Sequence, residues 1–361
     1  MLTPLKQDAV ASNNEEASAR LLSVDNESTG AHSYNSLEDS SDHHVPREFH
    51  SQHSTTTILH SPSIVGPVAN LCSATLGAGV LALPYALQQA GLIWGCILLI
   101  LAGTCTLYSL QLLVLACQYY QVYTYEGIVQ MACGKRSRQV TEISILLFCG
   151  GCAVAYIITV GDIVESLQLE RNVAMVVVWT IAMVPLSLLK TMTSLQSASG
   201  VGIFSIFLLI LVANIHFWRD LEHHVTAKMT LSTVLWPAHG MTSVLTACPL
   251  IIFAFSCQPN VCAIFHELPE KHRMNRVLYV AVSCCAMLYT SISLAAYLDF
   301  GGAVQPNVLQ NYCIHHLLIQ VAFVGMTIAV IMAFPLNVFP TRVTLEGLIW
   351  EYRRGDHVEV E

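Results

Sequence analysis

Asn70-Leu-Cys-Ser-Ala-Thr-Leu-Gly77-Ala78-Gly79-Val-Leu-Ala-Leu-Pro84 is an apolar run that interrupts itself. Two glycines flank one alanine, and a proline follows five residues later. In a helix interior a Gly costs about 1 kcal/mol and a Pro about 3 kcal/mol relative to Ala. Inside a membrane such broken backbone is tolerated only where it faces protein or a wet cavity. Unwinding at 77–79 exposes the N–H groups of a half-helix beginning near Val80, a positive dipole end suited to a carboxylate. The bland alternative is a Gly-mediated close approach of two helices. A second interruption reads Phe253-Ala-Phe-Ser-Cys-Gln-Pro259-Asn260. Pro259 removes a donor and frees a carbonyl near Phe255 or Ser256, which suits an ammonium or a cation. Its bland alternative is a plain proline kink.

The surroundings of both runs place them in lipid. Only 11% of the 361 residues are charged, with 54% hydrophobic and a mean hydropathy of +0.57. A soluble chain carries about 25% charged residues. No Asp, Glu, Lys or Arg occurs in 49–125, 143–161, 172–189, 191–218, 229–266, 277–298 or 300–341. About 20 apolar residues cross the hydrocarbon core as a helix. Backbone groups must be satisfied inside lipid, and barrel-like alternation is absent, so the chain is expected to be all-α. Eight spans are expected, over about 63–88, 91–117, 140–161, 172–189, 198–218, 241–263, 276–298 and 315–338. The two interruptions then fall in the first span and the sixth. Corresponding breaks of this kind mark two inverted halves with a site between them.

Residues 1–60 carry nine acids and three bases and are expected to be a disordered, acidic cytosolic tail, with no surface for nucleic acid. The tail has no apolar segment of a cleavable signal peptide. The membrane domain is placed at 61–342 and a short cytosolic tail at 343–361. With the N-terminus inside, inner loops hold ten Lys and Arg and outer loops three, Arg171, Arg219 and Lys228. The cysteines show no metal spacing and are taken as packing residues. Nucleotide-binding glycine loops and activated nucleophiles are absent, so nothing in the sequence points to an enzyme, and no cofactor is expected.

Other polar groups at depth are few. Tyr156, late in span three, reaches toward a central site or simply packs. Ser73 and Thr75 lie one turn before the first break, where their hydroxyls coordinate a cation such as Na+ or bond their own helix. Asp162, Glu165 and Asp299 sit at span ends, either solvated or on a proton or cation pathway.

On Asn70–Pro84, Tyr125-Glu-Gly127 to Cys133-Gly-Lys135, Gly161-Asp162, Phe253–Asn260 with Ile264–Leu268, Tyr297–Gly302 and Phe334–Arg342, the chain resembles the amino acid/auxin permease family. That family includes sodium-coupled neutral and vacuolar amino acid transporters. The resemblance covers about 63–350. It implies a leucine-transporter-type inverted-repeat fold and secondary transport of amino acids, most naturally neutral ones, by alternating access. It places the substrate against Ser73, Gly77, Ala78 and Gly79 on one side and Ala254, Phe255, Ser256 and Cys257 on the other, with Tyr156 nearby. Of the usual eleven spans about eight are present. The alternative is therefore a non-transporting amino acid sensor or a truncated regulatory subunit, working with a longer relative or another membrane partner. Sodium-coupled members carry a hydroxyl residue in span eight shortly before the Pro-x-x-x-Phe-Pro stretch; here 330–334 has none, and Thr327 lies two turns before Pro335. The coupling ion, H+ or Na+, stays open. Glu15-Glu16 before Leu21-Leu22 resembles an acidic dileucine signal, so the membrane is the plasma membrane or a vacuolar or lysosomal one.

Overall fold

Helix α3, Leu92–Tyr120, illustrates how the sequence builds this molecule. Gly95, Leu99, Gly103, Thr106, Leu110, Val114 and Cys117 recur every three or four residues and are buried. The opposite face carries Ile100, Leu101, Tyr108, Leu112 and Leu115, all exposed. A helix apolar on both its buried and its exposed face is solvated by lipid, not water.

The computed structural model describes residues 64–166, 170–189, 196–219, 234–237, 240–312 and 317–358, with side chains for all of these except 196–198 and 350–358. The expected acidic tail with its dileucine, and the loop cations Lys190 and Lys228, lie outside the described residues. The described part is helical, with no strand. It begins with α1, Val65–Thr75, a 3-10 turn, Ala78–Ala82, and α2, Leu83–Ala90. After α3 come α4, Tyr125–Cys133, α5, Lys135–Ser166, α6, Arg171–Ser187, and α7, Gln196–Arg219. Then follow α8, Met241–Ala254, α9, Gln258–Glu267, α10, Met274–Phe300, and α11, Leu317–Val358.

Among the described residues, six helical stretches are long and apolar enough to cross a membrane, and the bent pair of α1 with the 3-10 turn and α2 makes a seventh. The expected fourth span is the shorter apolar helix α6, interrupted by a π turn at Trp179–Met183 just before Pro185. At 1.5 Å per residue it reaches only about 26 Å, the lower limit for the hydrocarbon core. The last helix runs on through residues read as a short tail. α11 carries Pro335 and Pro340 inside it and continues to Val358. The Arg342–Glu346 ion pair, four residues apart at 3.0 Å, supports that continuation, and Arg342 also donates to the Leu189 carbonyl at 3.2 Å.

α10 is the central post, packed against α1, α2, α3 and α7. α11 lies along α5 and α7, and α8 lies along α2. Polar side chains tie these helices at depth: Ser199 donates to Asn70 at 2.8 Å, and Asn214 donates to Ser291 at 3.0 Å. Charges gather at helix ends. Arg138 pairs with the buried Glu142 at 2.6 Å, and Arg171 with Asp162 at 2.9 Å. Asp299 is not a solvated end-of-span acid. It is buried, with the His216 ring nitrogen 2.8 Å from its carboxylate, and Phe300 and Tyr312 pack around that histidine.

Two connections make checkable demands. Gly91 joins α2 to α3 at φ +74°, and a Cβ there would lie 2.6 Å from the Trp236 backbone carbonyl carbon. Gly91→Ala is expected to cost about 1–3 kcal/mol, read as a lower melting temperature of the purified protein in detergent. In α4, burial pushes the Glu126 carboxyl up, and Glu142 adds to that, against a backbone hydrogen bond and Arg138. A carboxyl raised in the folded state binds its proton there longer than in the unfolded chain. Its stability contribution is therefore full below the ordinary carboxylate range and lost as pH rises through the raised value. The melting temperature of Glu126→Gln is expected to gain on the parent's as pH rises above the ordinary carboxylate range.

Candidate functional site

Both interruptions are real breaks, and they meet. α1 stops at Thr75, and after Leu76 and an extended Gly77 the 3-10 turn starts at Ala78, with the chain bent by 49°. α8 stops at Ala254, Phe255–Cys257 are non-helical, and α9 restarts at Gln258 with Pro259 in its first turn. Pro suits a first turn because its missing N–H has no partner there anyway.

The two glycines of the first break are needed for different reasons. Gly77 has φ −95°, open to any residue. Its constraint is contact, since a Cβ there would fall on the Tyr156 hydroxyl. Gly79 lets the breaks touch: a Cβ there would lie 3.0 Å from the Ala254 Cα and 3.3 Å from its Cβ. The close-approach reading of these glycines and the broken-helix reading are therefore both true. The Val80 N–H reaches back to the Gly77 carbonyl at 3.3 Å, leaving the N–H groups of Ala78 and Gly79 at the open end of the turn.

Between the breaks lies a cavity of about 10 Å³, room for one water. Thr75, Gly77, Gly79, Phe148, Cys152, Tyr156, Phe253, Ala254, Ser256 and Asn337 are among its walls, and none is ionisable as Asp, Glu, Lys, Arg or His. Five of the anticipated residues, Gly77, Gly79, Tyr156, Ala254 and Ser256, thus come together with Thr75. Four stand apart from the wall. Ser73 faces Gly202 of α7, where a Cβ would be 3.5 Å from its hydroxyl. Ala78 lies in the 3-10 turn outside the lining. Phe255 and Cys257 are buried behind it. The Thr75 hydroxyl donates to the Leu71 carbonyl of its own helix at 2.7 Å, the bland option for that residue.

Sequence reasoning passed over Asn337, although it stands inside the quoted Phe334–Arg342 stretch. Its amide donates to the Tyr156 hydroxyl at 2.9 Å and to the Ala333 carbonyl at 3.3 Å. The Tyr156 oxygen is thereby an acceptor, which leaves its own proton to donate into the cavity. An amide at depth in an apolar span was the available signal. Phe148 and Phe253, 6.3 Å apart and edge to face, form another part of the wall.

A larger groove of about 480 Å³ lies beside the cavity. It is lined by Ser109 of α3, Tyr125 of α4, Thr141, Ser144 and Phe148 of α5, Ser256 of the second break, and Gln258 and Pro259 at the start of α9. Phe148 and Ser256 belong to both spaces, so they form the partition between them. Its lining on α5, Val140 to Phe148, lies in the half of that helix that begins with Lys135, Arg136 and Arg138.

Comparison with known proteins follows the same helices. Residues 60–358 match the family described as "Transmembrane amino acid transporter protein". Vacuolar amino acid transporter 6 of Saccharomyces cerevisiae is 28% identical over 303 residues, 80% of this chain and 67% of that protein. Amino acid transporter AVT6E of Arabidopsis thaliana is 28% identical over 311 residues, 80% of this chain and 64% of that one. Sodium-coupled neutral amino acid transporter 7 of Danio rerio is 26% identical over 321 residues, 83% and 67%. The chain spans about two thirds of the length of these relatives.

If the breaks bind a ligand, filling them should remove binding without unfolding the protein. Gly77→Val puts a branched side chain where Tyr156 stands, and Gly79→Val pushes Ala254 away. Both variants are expected to reach the membrane and to lose at least ~10-fold in amino acid affinity, about 1.4 kcal/mol. Radiolabelled amino acid binding to purified protein checks this; parental affinity in both would place the site elsewhere.

Proposed function

The chain belongs to the transmembrane amino acid transporter family, and from that membership we propose that it carries neutral amino acids across a membrane by alternating access, with the substrate held between the two broken spans. The observation that carries this reading is the contact of the breaks at Gly79 and Ala254 around a cavity without an ionic side chain. An amino acid is a zwitterion, so its two ends need partners and its side chain needs none that are charged. The carboxylate goes to the open N–H of Gly79 and the Tyr156 proton. The ammonium goes to carbonyls freed around Phe255 and Ser256. No full charge is then buried against it, which avoids a large desolvation penalty.

The cavity as it stands is too small for any amino acid, so the described conformation is a closed one and binding needs the partition at Phe148, Phe253 and Ser256 to move. Opening it joins the break cavity to the larger groove. With Lys and Arg on the inner side, that groove faces the cytosol and the N-terminus is cytosolic. Counting α6 as the fourth span, the breaks fall in spans one and six, which favours two inverted halves of the leucine-transporter type. The membrane is the plasma membrane or a vacuolar or lysosomal one, and the relatives' names include both a vacuolar and a sodium-coupled transporter.

Reconstituted liposomes test the reading. Saturable uptake of neutral amino acids is expected, competed by other neutral ones and weakened by Tyr156→Phe or Asn337→Ala by about 10-fold or more, the loss of one charge-assisted hydrogen bond. Absence of flux for every amino acid, across pH and sodium gradients, would sink it. Saturable binding with no flux would move the chain to the sensor reading.

A further inference from the structure

Tyr289, in the middle of α10, is fully buried. Its ring stands edge-on against Phe255, centroids 5.1 Å apart. Its hydroxyl lies 2.6 Å from the Thr75 carbonyl oxygen and 2.8 Å from that of Ala254. Thr75 is the last residue of α1 and Ala254 the last of α8. In unbroken helices these carbonyls would accept from the N–H groups of Gly79 and Gln258, and the breaks remove both donors. Thr75 keeps a tight bond from the Gly77 N–H at 2.8 Å. Each carbonyl also sits at the negative end of a half-helix dipole. Two negative ends therefore converge on one oxygen-sized point between the broken spans.

Half-helix C-terminal ends and unwound carbonyls in broken-helix transporters hold coupling cations. Here the point of convergence holds a neutral O–H. A phenol has one proton, which two carbonyls must share or exchange. Rotation of the ring away is opposed by Phe255 on one side and by complete burial.

We propose that the Tyr289 hydroxyl occupies, in this chain, the position between the ends of α1 and α8 that a monovalent cation would otherwise fill, and so ties the two broken spans together without sodium. Tyr289 is a positioning residue: it sets the distance between the breaks and touches no substrate. The inference rests on the reading that the breaks form the site, and it adds that this part of the site does not call for sodium.

Hydrogen–deuterium exchange, read by mass spectrometry on the full chain in detergent without any amino acid, tests the bridge separately from transport. Exchange is compared in sodium chloride and choline chloride at equal ionic strength, in peptides covering 72–82 and 250–260. The parent protein is expected to exchange alike in both salts. Tyr289→Phe keeps the ring against Phe255 and removes the bridge, and both segments are expected to exchange together about 10-fold faster, as for a lost hydrogen bond at a buried pair of acceptors. Tyr289→Ser opens the space of the ring, and its exchange is expected to be fast in choline and slowed by sodium. Sodium-dependent protection in the parent would overturn the proposal. So would unchanged exchange in Tyr289→Phe, or an equal response of Tyr289→Ser to the two salts. If Tyr289→Phe does not yield folded protein, the parent and Tyr289→Ser decide. Because no amino acid is present, failure here leaves the transport reading standing.

Discussion

A helix that breaks inside a membrane strands its own backbone groups where no bulk water can reach them, and the architecture answers that constraint at every level. Two spans break, so N–H groups at one end and carbonyls at the other lose their partners. Each stranded group costs several kcal/mol in hydrocarbon unless something satisfies it. The carbonyls of Thr75 and Ala254 are met by one tyrosine from α10. The broken segments pack against α3, α5, α10 and α11. The central post of the bundle is thus also the element that bridges the breaks.

Close packing follows from the same demand. Tyr156 can stand against the first break only because Gly77 has no side chain, and Ala254 can reach the turn only because Gly79 has none. Asn337 then fixes the Tyr156 hydroxyl from α11. In a membrane, where lipid tails compete equally for apolar surfaces, small residues and a few internal hydrogen bonds specify which helices touch. The two prolines of α11 do not end that helix, since neighbouring helices cover the backbone they expose.

Function and closure sit in tension at this point. Under the proposed function, a cavity with room for only one water has to enlarge to admit an amino acid. Phe148 and Ser256 line both the cavity and the larger groove. Phe255 sits against Tyr289, so motion there is felt at the bridge between the breaks.

The sequence by itself determined the solvent, the helices and the breaks. Charge-free windows, Gly77-Ala78-Gly79 and Pro259 are local signals, and the local physics of lipid and backbone reads them directly. Boundaries were legible to a few residues, apart from the short α6 and the continuation of α11, where the apolar pattern ends before the helix does. Only tertiary structure decided which polar groups meet. Tyr156 finds Asn337 across 181 residues, Tyr289 finds Thr75 across 214, and Asp299 finds His216 across 83. Ser73 turned to α7, and Phe255 and Cys257 lay behind the wall, because a side chain's direction depends on how each helix is rotated in the bundle. That rotation is set by long-range contacts among small residues, and apolar spans facing lipid on one side and protein on the other carry no periodicity strong enough to announce it.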